Sequence, residues 1–75
     1  MKNVLGPRIR NLRRRPGRRV TQQELAARLQ AMGIDIDHTA ISKLERGQRP
    51  ISDMEFLAIC KALGVKASVL VEDLP

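Results

Sequence analysis

This sequence predicts an all-α fold of five short helices, and three observations predict it. Apolar residues recur three and four apart along most of the chain, and no stretch alternates for long enough to make a strand. Most of these periodic runs are bracketed by a capping residue or a helix-starting proline in front and a glycine or proline behind. A chain of 75 residues makes a single domain, 1–75. Domains this small bury only about 60% of their unfolded surface, so many need a staple. Cys60 is the sole cysteine and His38 the sole histidine, so neither an internal disulfide nor a four-ligand zinc site can be completed. No metal or cofactor is expected, and stability must come from helix packing or from a second subunit.

The first helix is carried by Leu5, Ile9 and Leu12, with Pro7 in its first turn, where a missing N–H costs nothing. It runs into the arginine loop Arg13–Arg19, which turns at Pro16-Gly17. The second helix opens on a capping box, Thr21 with Glu24 three residues on, presents Leu25, Ala26, Leu29 and Met32 inward, and stops at Gly33. The third takes Asp37 as N-cap, packs through Ile41 and Leu44, and ends at Gly47. The fourth is capped by Ser52, carries Asp53 and Glu55 at its positive end, and buries Phe56, Ile59, Cys60 and Leu63 before Gly64. A fifth runs from about Ala67 to Glu72. Met32 and Met54 are expected at the edge of the core.

Charge is unevenly placed. The net +6 is concentrated before Pro50, where twelve Lys/Arg face four Asp/Glu. A basic half favours a polyanionic partner. There is no run of about 18 apolar residues to span a membrane and no signal-peptide pattern, so a cytoplasmic protein is expected. An enzyme is not: no nucleophile–His–acid set, phosphate-cradling Gly loop or carboxylate pair stands out. Phe56 is the one aromatic residue, which leaves nothing on which single-stranded bases could stack.

Three stretches carry a family resemblance: Thr21-Gln22-Gln23-Glu24-Leu25-Ala26, then Ile41-Ser42-Lys43-Leu44-Glu45-Arg46-Gly47, then Ile59-Cys60-Lys61-Ala62-Leu63-Gly64-Val65. In this order they resemble the Cro/repressor (Xre-like) class of helix-turn-helix domains, over about Leu5 to Leu70. The resemblance implies a five-helix lambda-repressor-like fold with its helix-turn-helix unit at about 21–46. This chain departs from the family pattern in having about five extra residues between Ala26 and Ile41. A lengthened second helix or turn is therefore expected, with Ile34 or Ile36 dipping into the core. Lys66 stands where the family favours a capping residue.

The resemblance also implies a function: a sequence-specific regulator of transcription, a repressor, that reads the major groove of double-stranded DNA with the helix at 37–46. Carried over by position, His38, Thr39, Ser42 and Lys43 read bases. Lys43 has the reach for guanine O6 or N7, and the Thr39 methyl suits a thymine methyl. Gln22, Arg18, Arg19, Arg46, Gln48 and Arg49 would meet phosphates. Arg13 and Glu45 would pair, tying the first helix to the third. Family members commonly bind as two-fold dimers, and Val69, Val71 and Leu74 are the apolar residues assigned to a C-terminal homodimer contact. The alternative is an antitoxin-like module that binds DNA only together with a partner protein.

Overall fold

The first helix, α1 (Gly6–Arg13), begins where Pro7 can occupy its first turn and ends with basic Arg10 and Arg13 near the negative end of its dipole. The computed structural model describes residues 4–72. The other elements are α2 (Gln22–Ala31), α3 (His38–Glu45), α4 (Asp53–Leu63) and α5 (Ala67–Val71), and there is no strand among the described residues. The central helix α2 packs on both α3 and α4, while α1 lies on α3 and α5 closes against α4.

The capping box expected at α2 forms, and α4 carries a second one. Thr21 Oγ1 accepts from Glu24 N at 3.0 Å, and Glu24 Oε1 accepts from Thr21 N at 3.1 Å. At α4, Ser52 Oγ accepts from Glu55 N at 3.2 Å and Glu55 Oε1 accepts from Ser52 N at 3.0 Å. Asp37 caps α3 by accepting from Ala40 N at 2.8 Å. Each bond satisfies a first-turn N–H that the helix cannot pair itself. At the other end of α4, Gly64 adopts φ +68°, the left-handed conformation that a side chain disfavours. Arg28 reaches over from α2 to donate to Ala62 O at 2.8 Å, filling one of the carbonyls α4 leaves open. Lys66 provides no side-chain cap for α5. That helix is held instead by Arg8, whose Nη1 donates to the carbonyls of Leu70 and Glu72.

The core takes a fully buried side chain from every helix: Ile9, Leu25, Leu29, Ile41, Leu44, Ile59 and Leu70. Truncating such a residue to Ala costs about 2–5 kcal/mol. The extra length before α3 is ordered as the sequence suggests. Ile36 is buried, Ile34 packs against the core, and Gln30 Nε2 donates to Ile36 O at 3.0 Å. Two expectations are corrected. Met32 and Met54 are not core-edge residues, since they are 41% and 68% exposed. Met54 lies across α4 from the stripe Phe56, Ile59, Cys60 and Leu63, and Met32 lies just past the last turn of α2. Phe56 is half-buried, against the core rather than within it. Leu74 lies outside the described residues.

Candidate nucleic-acid interface

The start of α3 is placed by its neighbours on both sides. Ile36 is buried immediately before the Asp37 cap, and Ile41, Leu44 and Glu45 are buried on the inner face. At about 100° per residue, burial of those three turns Thr39, Lys43 and Arg46 outward, with His38 and Ser42 on the flank towards α2. His38, Thr39, Lys43 and Arg46 are exposed and Ser42 is half-buried.

That flank forms one wall of an open groove of about 600 Å³, which His38, Ser42 and Arg46 line from α3. Thr21, Gln22 and Gln23 line it from the first turn of α2, and Arg10 and Arg14 from the end of α1. At its floor lies a buried ion pair. Arg13 Nε donates to Glu45 Oε2 at 2.7 Å and Arg13 Nη2 to Glu45 Oε1 at 2.9 Å, a two-pronged contact with side chains 10% and 2% exposed. Arg13 Nη1 also donates to Val20 O at 3.0 Å, and Gln22 Nε2 donates to Glu45 Oε1 at 3.1 Å. One carboxylate therefore ties α1 and α2 to the underside of α3, and Arg13 in turn holds the end of the arginine loop. Because Glu45 and Arg13 neutralise each other, the groove keeps the charge of Arg10, Arg14 and Arg46. The first turn of α2, the positive end of its dipole, lines it as well, an arrangement suited to anions.

Sequence reasoning missed Arg10 and Gln23 here. Their signal was present: Arg10 and Arg14 are four apart on one face of α1, and Gln23 follows Gln22 directly after the cap. Four residues assigned to phosphate, Gln22, Arg49, Arg18 and Arg19, make other contacts within the chain or lie outside this groove. Gln22 commits its amide nitrogen to Glu45. Arg49 is turned into a two-pronged pair with Glu55, its Nη1 and Nη2 donating at 3.0 and 2.7 Å. Being hydrogen-bonded to Arg49, the Glu55 carboxyl is held below its ordinary pKa, against the opposing effect of burial. Arg49 is raised by the same contact.

Arg18 and Arg19 lie apart from the groove. They line a separate concavity of about 360 Å³ with Arg28 and Lys61, floored by Val20, Ala62 and Leu63. Gln23 and Arg28 lie on opposite flanks of α2, so the two basic surfaces share no residue. The loop's direction is set by Val20, which is buried and donates its N–H to Arg13 O at 2.8 Å. Gln48 is exposed in the turn that follows α3, and Arg46 Nε donates back to Ser42 O at 3.3 Å.

Among the described residues no helix is long and apolar enough to cross a membrane. No group of three or more His, Cys, Asp or Glu that could hold a metal ion is found among them either. Searches of curated proteins and of solved structures returned no significant match. A family model described as a helix-turn-helix domain matches residues 4–74, nearly the whole chain. With five helices among the described residues, α2 and α3 packed together and a basic groove across both, the chain belongs to the helix-turn-helix domain family, a class of DNA-binding module.

Proposed function

We propose that this protein is a sequence-specific, double-stranded DNA-binding transcriptional regulator of the Cro/repressor type, acting as a cytoplasmic, non-enzymatic repressor. The observation that carries this reading is the outward face of α3, beside a groove that keeps three arginines after Arg13 and Glu45 have cancelled. Lys43 and Thr39 face base edges from the crest of the helix, and His38 and Ser42 do so from the flank. Arg10, Arg14 and Arg46 hold the backbone, with the α2 N-terminus and the remaining valences of Gln22 on one phosphate. Gln48 meets the backbone beyond the end of α3. A two-fold homodimer places two such helices about 34 Å apart, in successive major grooves on one side of the duplex.

Selection of bound sites from a random duplex pool, run with the native chain and with Lys43→Ala, tests this. The native chain should enrich an inverted repeat. Lys43→Ala should weaken binding by about 1–3 kcal/mol and relax preference at one base position per half-site. Enrichment of no sequence by the native chain would overturn the specificity. An unchanged motif and affinity with Lys43→Ala would overturn this placement of α3 on the bases.

A further inference from the structure

Three of the large apolar side chains that the described residues expose gather in one place. Met54 and Leu57, 68% and 58% exposed, stand with Met32 around a groove of about 240 Å³ completed by Ile34, Ala58 and Lys61. The C-terminal pair Val69 and Val71, at 41% and 43%, is as exposed as Met32 at 41% but less so than Met54 and Leu57, and the buried Leu70 lies between them. Scattered apolar residues are ordinary on a surface, but a clustered set points to a contact.

The outer face of α4 has a further property. Asp53, Leu57 and Lys61 follow one another at intervals of four, so they form a single stripe with an acid at one end, leucine at the centre and a base at the other. Asp53 and Lys61 are exposed and make no ion pair with any described residue. Antiparallel pairing of two copies of this stripe about a two-fold axis at Leu57 puts Leu57 against itself. Each Asp53 then lies opposite the other copy's Lys61, since both are four residues, or about 6 Å, from the axis. Met54 of each copy reaches the partner's Ala58 and the groove beside Met32. A partner of unrelated sequence would not require this internal symmetry of charge.

We infer that this face docks a second copy of the chain, giving an isologous homodimer through α4 rather than through the C-terminal valines. The inference rests on the two-fold dimer of the proposed function and locates its surface. Five apolar side chains a side is far short of the roughly 20–30 residues of a standard interface. The dimer is therefore weak in solution and is reinforced when one duplex holds both copies.

Sedimentation equilibrium of the full chain over a concentration series tests it, with circular dichroism to verify that each variant is folded. The native chain should show a reversible monomer–dimer equilibrium. Leu57→Glu should raise the dimer Kd by about a hundredfold with helicity unchanged, since Leu57 is already exposed. Asp53→Lys and Lys61→Asp should each raise it by about tenfold, and the double exchange should bring it back towards the native value. Native-like dimerisation of Leu57→Glu would overturn the α4 surface while leaving the dimer standing, and its loss in Val69→Glu with Val71→Glu would move the contact to α5. A native chain that stays monomeric at every concentration, and binds a two-half-site duplex without cooperativity, would overturn the dimer itself and leave the groove to a different protein. None of these outcomes bears on whether the single domain binds DNA.

Discussion

Replacing Glu45 with alanine removes the carboxylate that holds three parts of the fold together, and its cost follows from the geometry. Arg13 would keep only its bond to Val20 O, and its charge would stay at a site where its side chain is 10% exposed. Breaking a buried pair from one side costs about 3–5 kcal/mol, because the surviving charge is neither solvated nor compensated. A chain of this length has a total stability of about 4–11 kcal/mol at the usual value per residue. Its unfolding entropy of about 0.16 kcal/mol/K converts the loss into a Tm fall of about 20–30 °C. Urea unfolding followed by far-UV circular dichroism in the cold, where the variant retains a folded baseline, measures it. The double variant Arg13→Met with Glu45→Leu should recover most of the loss, since both desolvation costs vanish together and the volume is kept. A Glu45→Ala cost below about 1 kcal/mol, the value of an exposed pair, would refute the reading of this contact as the tie between α1 and α3.

Three further outcomes are expected. Ser52→Ala removes the α4 cap and should cost about 1 kcal/mol, a Tm fall of about 6 °C in the same unfolding assay. Glu55 is depressed chiefly by its hydrogen bonds to Arg49, and Glu24 chiefly by those to Thr21. Their stabilisation is in place above the unfolded carboxylate value of 4.5 and is lost as the pH falls through the lower folded values. Stability measured against pH should therefore be level from neutrality down to about pH 5 and fall below it, less steeply in Glu55→Gln. Finally, Arg10→Ala with Arg14→Ala should reduce the slope of log affinity against log salt by about 1.8, and Arg18→Ala with Arg19→Ala by clearly less. Fluorescence anisotropy over a salt series reads both, and equal reductions would place the two basic surfaces on one DNA path.

What was legible in the sequence was what is decided locally. Thr21 with Glu24, Ser52, and Asp37 each mark a helix start because the cap bonds a backbone group only three residues away. The buried stripes were legible for a similar reason, since spacings of three and four fix a face without knowledge of the neighbours. Met54 was expected at the core edge and is exposed instead, although the stripe from Phe56 to Leu63 already places it on the opposite side of α4. What was not legible is direction over a loop. Arg18 and Arg19 stand next to the helix-turn-helix unit in sequence, yet a buried Val20 turns them towards Lys61. Arg49 pairs with Glu55 across the turn at Pro50, a geometry that no helical spacing announces.

The lengthened approach to α3 shows how these two kinds of information combine. Extra residues before a reading helix would shift its first turn if the loop were free to choose its end point. Here the loop is pinned at both ends. Ile34 N donates to Leu29 O at 2.9 Å where it leaves α2, and Ile36 is buried one residue before the Asp37 cap. These anchors fix where the lengthened loop ends, while Ile41, Leu44 and the Glu45–Arg13 pair set the rotation of the helix from beneath. His38 and Thr39 therefore inherit their orientation from the core rather than from the loop. By the same reasoning, shortening the loop within residues 32–35 should alter stability before it alters base preference, whereas Ile36→Ala should disturb both.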